Sequence, residues 1–238
     1  MILTLEQVSK AFGSVPVADR MNLAIPHGQA LGIIGPNGAG KTSLFNLIGG
    51  ALAPDSGRIV LDGRDVTRAS QRLRARSGIA RSFQIPQPFA NLTVFENLLV
   101  GATNTRRRTD PEVIELCGGV LERSGLLPLA DRRAGTLTLL ERKRLELARA
   151  LATEPRLLLL DEIAGGLTEA ECGLLVETIR DLRTTGVTIV WIEHVVHALL
   201  AVVERLVVLN FGRIIADGEP KAVMASGEVR EIYMGLEA

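Results

Sequence analysis

Cysteine is nearly absent from this chain, and so is any surplus of charge. Only Cys117 and Cys172 occur, and neither has metal-ligand spacing around it. There is no basis for a disulfide framework or a thiolate metal site, so both thiols are read as inert packing residues in a reducing compartment. Lysine plus arginine number 27, and so do aspartate plus glutamate. A dedicated nucleic-acid binder rests its affinity on a basic surplus, so no nucleic-acid partner is expected. The arginines do cluster (Arg72, Arg74, Arg76 and Arg81; Arg106 to Arg108; Arg132 and Arg133) and are read as solvated faces. Long apolar runs are missing too. The nearest candidate, "VVHALLAVVERLVVL", is broken by His197, Glu204 and Arg205, short of the ~18 residues that cross a bilayer. The opening "MILTLEQVSK" lacks the basic and apolar regions of a signal peptide. The expectation is a soluble, cytosolic chain.

What is present is enough apolar material, 47% of 238 residues, for the core of a single α/β domain with a helical insertion. Strand-like "ILTLEQV" and "MNLAIP" come first, and "QALGIIG" then runs into a glycine-rich turn and the helix-like "KTSLFNLIGG". In "GRIVLDGRDVT", Asp62-Gly63 marks a hairpin. After strand-like "GIARSFQ" the pattern turns helical, which predicts a helical subdomain over about residues 85–155. Strand "RLLLLDE", helix "TEAECGLLVETIRDLRTTG", strand "VTIVWIEH", the strand pair "RLVVLNFGRIIADG" and short helices over about 219–235 close the chain. Continuous apolar runs such as "LLLL" and "VTIVWI" read as strands buried on both faces, hence a mostly parallel sheet covered by helices. Ligands of such sheets sit beyond the carboxyl ends of the strands. Polar residues stand at three of those ends: Gly35 onward, Asp161-Glu162 and Glu193-His194.

"GPNGAGKT", from Gly35 to Thr42, matches G-x-x-x-x-G-K-[ST] between a strand and a helix. Glycines 35, 38 and 40 let the backbone curl so that its N–H groups point at phosphate oxygens. Lys41 adds a charge near the β- and γ-phosphates, and the helix beginning there presents its positive end. Thr42 offers a hydroxyl to Mg²⁺. Asp161, closing four leucines, is suited to orienting that metal or its water. Glu162, where the chain leaves the strand, is placed to activate a water for attack on the γ-phosphate. No N-K-x-D base-reading motif occurs, so a GTPase is not expected, and adjacent Asp-Glu fits a nucleotide-hydrolysing motor better than a small-molecule kinase.

"GPNGAGKTS", Gln84 in "RSFQIPQPF", "LLLLDE" and His194 in "WIEHVV" together resemble the ordered motif set of ABC transporter nucleotide-binding subunits, across nearly the whole chain. The resemblance implies a P-loop NTPase of the ABC type over residues 1–238, with a mostly parallel core sheet, an N-terminal antiparallel β subdomain and a helical subdomain. It implies ATP and Mg²⁺ as ligands, with Asn37, Gly38, Ala39, Gly40, Lys41, Thr42 and Ser43 around the phosphates and Thr42, Gln84 and Asp161 toward the metal. Glu162, His194 and Gln84 become the catalytic residues: the base, a γ-phosphate switch, and a sensor beside the contact with a membrane subunit. Phe12 in "SKAFG" resembles the aromatic that stacks on adenine, and Val17 the apolar residue that accompanies it. "RSFQIPQPFANLTVFENLLVGA" and the C-terminal "GRIIADGEPKAVMASGEVREIYMG" are similar to ATPases of branched-chain amino acid importers. The tail is also similar to the lipopolysaccharide-export ATPase, and import of urea or short amides is a further alternative. A dimer of ATPase subunits beneath membrane permease subunits follows, on the cytoplasmic side of the membrane and indirectly serving a substrate-binding protein. Phe89, Leu92, Val94 and Phe95 either form a groove for a permease helix or pack the helical subdomain.

Two departures stand out. The loop after Glu162 has Thr168 where many family members carry an aspartate. The place that normally reads Leu-Ser-Gly-Gly-Gln here reads Leu137, Thr138, Leu139, Leu140, Glu141. In the family that helix points its N-terminus at ATP held by the opposite subunit, so Thr138 and Leu140 are the residues expected there. Thr138 and Glu141 form a T-x-x-E capping box, with Leu145, Ala148, Leu151 and Ala152 on an apolar face and Arg142, Glu146 and Arg149 on a charged one. The expectation is a helix that still forms and a weakened clamp on the partner's γ-phosphate. A non-transport ABC protein and a binding-only switch are the competing readings. The single cassette and the absence of a heptad tract weigh against the first, and intact Glu162 and His194 against the second.

Overall fold

The computed structural model describes residues 1–105 and 109–234; Arg106 to Arg108, and position 235 of the expected C-terminal helices, lie outside the described residues. Strands β1 (Leu3–Phe12) and β2 (Val15–Ile25) form a hairpin, and β3 (Ala30–Ile34) leads into helix α1 (Lys41–Gly49). Next come β4 (Ser56–Leu61), β5 (Arg64–Asp65), α2 (Gln71–Arg76) and β6 (Ile79–Arg81). Helices α3 (Val94–Thr105), α4 (Asp110–Arg123) and α5 (Leu139–Leu151) follow. The remainder is β7 (Leu157–Asp161), α6 (Glu169–Arg183), β8 (Thr188–Ile192), α7 (Val196–Leu200), β9 (Arg205–Asn210), β10 (Arg213–Gly218), α8 (Pro220–Ala225) and α9 (Gly227–Met234). Among the described residues no helix is long and apolar enough to cross a membrane.

Two sheets result. One is antiparallel in the order β2-β1-β4-β5. Its β4–β5 turn has positive φ at both Asp62 and Gly63, as a tight two-residue hairpin demands. The second runs β10-β9-β3-β8-β7-β6; β6, β7, β8, β3 and β9 are parallel and β10 pairs antiparallel at the edge. The continuous apolar runs are explained by period-two alternation between two cores. Leu31, Ile33, Leu157, Leu159, Val190, Ile192, Val207 and Leu209 face the core shared with the antiparallel sheet. Ala30, Ile34, Leu158, Leu160, Ile189, Trp191, Leu206 and Val208 face the core under α6 and α7. From β3 the chain runs outward to β6, returns through β7 to β8 beside β3, and only then adds β9 on the other side. That places the β3 end at a reversal of strand order, where ligand crevices form.

A third core holds Val94, Leu98, Val113, Cys117, Leu121, Leu145, Ala148 and Ala152 from α3, α4 and α5. Helix α5 buries two faces, because Leu147 and Ala150 belong to the core of the central sheet. Three readings from sequence change here. Glu146, read with Arg142 and Arg149 as one charged face of α5, is buried, as is Lys143. Arg74 and Arg81 also leave the solvated class: Arg74 is only 1% exposed, and it donates to the carbonyls of Leu47, Ile48, Thr67 and Ala69. A buried cation on the last carbonyls of α1 complements the negative end of that helix. Finally, Phe89, Leu92, Val94 and Phe95 divide. Val94 is core and Phe95 packs against it, whereas Phe89 is 45% exposed. Cys117 and Cys172 are free and buried.

Candidate active site

Because β3, β6, β7 and β8 are parallel, their carboxyl ends bring Gly35, Gln84, Asp161 and His194 to one edge of the sheet. The loop from Gly35 to Gly40 is held by a close backbone approach that only glycine permits. A Cβ on Gly40 would stand 2.4 Å from the Val17 carbonyl, and one on Gly35 would stand 2.3 Å from that of Leu209. Val17 thus borders the loop, and the Gly212 N–H donating to the Ala39 carbonyl ties it to the β9–β10 turn. Gly40 is the N-cap of α1, at φ 101°, and gives that helix no side-chain cap. Lys41 is buried and curls back to donate from Nζ to the carbonyls of Gly35 (2.7 Å) and Pro36 (3.0 Å). Burial pulls its ammonium below the ordinary lysine value, while the carboxylates of Glu162 and Asp161 pull it back up. Asn37, Gly38 and Thr42 are exposed, Ala39 is buried, and Ser43 is half-buried at the start of α1.

Glu162 sits just past β7 with a left-handed backbone, φ 47°. A non-glycine residue there costs about 1–3 kcal/mol, a strain that persists where surrounding structure enforces it. Its own N–H is fixed by the Ile192 carbonyl at 2.8 Å. Both carboxylate oxygens are engaged. Oε2 accepts from Gln84 Nε2 at 2.7 Å, and Oε1 lies 2.9 Å from His194 Nε2. Each oxygen carries two lone pairs, so the carboxylate keeps room for a further donor such as water. Next to it Asp161 is buried, and its Oδ2 accepts from Arg81 at 2.5 Å. The remaining strand end supplies Glu193, 1% exposed. Burial pushes its carboxyl up, opposed by hydrogen bonds from the Ala164 N–H, Trp191 Nε1 and the backbone of Val195 and His194.

Phe12 does not belong to any core. It is 55% exposed at the turn end of the β1–β2 hairpin, opposite Val15, with Lys10 Nζ 5.7 Å from its ring centre. Thr138 and Leu140 have other partners. Thr138 N–H donates to Glu141 Oε2 at 2.7 Å, and Thr138 Oγ1 accepts from the Glu141 N–H at 3.3 Å. Leu140 packs against the core under α6. Thr168 forms the same kind of box with Glu171, at the start of α6. His27 pairs with Asp62 at 3.3 Å, and His197 lies exposed on α7.

Two residues at this edge escaped sequence reasoning. Arg81 reaches Asp161 from β6. Lys143, buried on α5, donates to the Gln84 carbonyl at 3.3 Å; burial lowers its basicity while Glu193 and Glu162 oppose. Arg81 carried a signal, since it lies three residues before Gln84 on a strand that must end at the same edge. A lysine within a basic helix carried none.

Comparison with known proteins agrees with this geometry. Residues 18–165 match the family described as ABC transporter. The chain is 35% identical to the high-affinity branched-chain amino acid transport ATP-binding protein BraF of Pseudomonas aeruginosa, covering 98% of each chain. It is 34% identical to the lipopolysaccharide export system ATP-binding protein LptB of Haemophilus influenzae, covering 98% of this chain and 97% of that one. A crystal structure of a nucleotide-free ATP-binding cassette from an ABC transporter superposes with a TM-score of 0.89 at 33% identity, covering 99% of both chains. The ADP conformation of the cassette MJ1267 does so equally well, again at 33% identity. With its family profile, full-length relatives and fold in agreement, the chain belongs to the ABC transporter family as an ATP-binding cassette subunit.

Proposed function

We propose that this chain is the Mg²⁺-dependent ATP-hydrolysing subunit of a membrane importer for branched-chain or other hydrophobic amino acids. One observation carries the hydrolytic reading: Glu162, at the end of β7, holds Gln84 on one oxygen and His194 on the other and lies within electrostatic reach of Lys41. In this reading the N–H groups of Asn37 to Ser43 receive the phosphates, Lys41 adds its charge, and Phe12 stacks on the adenine beside Val17. The donors available suit a hard cation: the Thr42 hydroxyl, the free oxygen of Asp161 and the Gln84 amide. Among the described residues no group of three or more His, Cys, Asp or Glu can hold a metal. Such sparse protein ligation fits Mg²⁺, which keeps phosphate and water oxygens. When bound, Mg²⁺ neutralises charge on the β- and γ-phosphates.

Glu162 takes the proton of the attacking water as its oxygen bonds to the γ-phosphorus. The bond to the bridging oxygen breaks, and ADP leaves with that electron pair. His194 steadies the carboxylate and, beside the γ-phosphate, the water. Gln84 connects the same carboxylate to the exposed residues Phe83, Ile85 and Phe89, where the permease subunits dock. The chain then works on the cytoplasmic face of the membrane, with a second ATPase subunit and, indirectly, a substrate-binding protein. Thr138, exposed at the start of α5, faces the nucleotide of that second subunit, while Leu140 turns into its own core. The capped helix start makes a weakened clamp, which favours pairing with a different subunit.

The amino-acid assignment rests on relatives named for branched-chain amino acid transport in Pseudomonas aeruginosa and Escherichia coli. Lipopolysaccharide export is the second reading, supported by the similarity to LptB. Replacing Glu162 with Gln is expected to slow hydrolysis by roughly 10²–10⁴-fold while sparing ATP binding; surviving turnover would remove Glu162 as the base. Isolation of the intact membrane complex, followed by labelled leucine uptake into vesicles, tests the transport assignment, and a complex lacking any permease would overturn it.

A further inference from the structure

Arg81 occupies an unusual position for an arginine. Its side chain is 15% exposed and that of Asp161 is 8% exposed, the two joined at 2.5 Å through Asp161 Oδ2. The other arm of the fork donates to Asn46 Oδ1 of α1 at 2.6 Å. The guanidinium lies over two rings, 5.5 Å from the centre of Phe45 and 5.2 Å from that of Phe83. Its Nε is buried without a hydrogen-bond partner. A planar cation fastened to a carboxylate, an amide and two aromatic faces has no free direction in which to retreat. It also costs the fold an unsatisfied donor, so its place is set by the four groups it joins.

We propose that Arg81 sets the Mg²⁺ requirement of nucleotide binding, as a fixed positive charge that shares the Asp161 carboxylate with the metal. The proposal rests on the reading of Asp161 as the residue that orients Mg²⁺ or its water. Two effects of Arg81 oppose each other. It orders the carboxylate, which favours the metal, and it repels a second cation at the same carboxylate, which disfavours it. Ordering one short side chain is the smaller effect: Asp161 has two side-chain torsions and is already walled in by the sheet. Two like charges at one partly buried carboxylate interact strongly even at an effective dielectric near 20. Repulsion therefore wins, and Arg81 raises the Mg²⁺ concentration needed. Because the same guanidinium lies on Phe83 and bonds to α1, the metal site, the phosphate-loop helix and the exposed loop after β6 meet at one side chain.

The test titrates Mg²⁺ into the full chain with a fluorescent ATP analogue, beside a titration in EDTA. Arg81→Gln is expected to lower the half-saturating Mg²⁺ by about tenfold, with affinity in EDTA changed less than about twofold. Arg81→Lys keeps the charge and is expected to hold the wild-type requirement within about twofold. Should Arg81→Gln not fold, Arg81→Met keeps an apolar side chain against the rings and reads the same quantity. An unchanged or raised requirement in Arg81→Gln or Arg81→Met overturns the proposal. So does a fall in Arg81→Lys equal to that in Arg81→Gln. A wild-type chain that binds no nucleotide at any Mg²⁺ concentration removes the ATPase reading itself, and the proposal with it. Binding that needs Mg²⁺ but ignores Arg81 removes the proposal alone.

Discussion

Two helix starts in this chain solve the same problem in opposite ways. The first N–H groups of any helix lack intrahelical partners. Helix α1 leaves them open, with a glycine N-cap, no side-chain cap and no acid in its first turn. Helix α5 closes them from within, through Thr138 and Glu141. The closed form recurs wherever the sequence reads T-x-x-E. Glu96, Glu112 and Glu171 accept from the backbone N–H groups of Thr93, Thr109 and Thr168, at 2.7, 2.8 and 2.9 Å. A helix that caps itself is locally stable and has given up part of its anion-binding capacity. One that does not cap itself keeps that capacity. The contrast teaches that α1 depends on tertiary support, which comes from Gly40 against Val17 at one end and Arg74 on the last carbonyls at the other.

Breaking the open start should have the largest effect. Gly40→Ala introduces a side chain at φ 101° and places its Cβ 2.4 Å from a backbone oxygen that cannot give way. Gly38→Ala is strained by φ alone, at 81°, with no atom within 4 Å of the added carbon. We expect Gly40→Ala to lose about 3 kcal/mol of stability and at least ~100-fold in nucleotide affinity, against about 1–2 kcal/mol of stability for Gly38→Ala. Denaturant unfolding with a fluorescent ATP analogue titration measures both. Equal destabilisation by the two substitutions would remove the close-approach argument.

How much of this was legible in advance depends on the range of the interaction. Apolar runs on β3, β7 and β8 announce a sheet buried on both faces, and the ends of those strands announce the site. Thr138 and Glu141 announce their own box, because all its atoms lie within four residues. Arg74, Arg81 and Lys143 were misplaced or missed for the converse reason: their partners include carbonyls and a carboxylate far along the chain, and Glu146 is buried against Arg149 and the backbone after β6. Helix α2 went unread because its sequence, "QRLRAR", has no apolar stripe. Its one leucine is 55% exposed, and Arg74 is what anchors it. Strands β1 and β2 run longer than their apolar alternation suggests, since register shifts between Leu5 and Ala11 and left-handed backbone at Gln7 and Arg20 reset the pattern.

A milder perturbation opens the closed start. Thr138→Ala removes the hydroxyl that accepts from the Glu141 N–H but leaves the α5 packing faces untouched. The expected cost is about 1 kcal/mol, read by equilibrium unfolding. The comparison between helices predicts the same order of loss for Thr168→Ala at α6. A loss above ~3 kcal/mol at either position would show that the threonine supports more than a helix end.

The smallest effect is a titration. Glu171 is held below the ordinary carboxylate value, 4.5, first by the Thr168 backbone N–H and then by the Thr168 side chain. A depressed carboxyl contributes stability that is present above its unfolded value and is lost as pH falls through the folded one. The α6 cap therefore weakens only below about pH 4.5, where α1, with no acid in its first turn, has nothing of its own to lose. Carbon-detected NMR should find Glu171 titrating below the ordinary value. In Thr168→Ala it should move part of the way back, because the backbone donor remains when the hydroxyl is gone. If the substitution leaves the titration unmoved, the hydroxyl is not part of the cap. The closed start would then reduce to a single backbone donor on a carboxylate, much nearer to the open one.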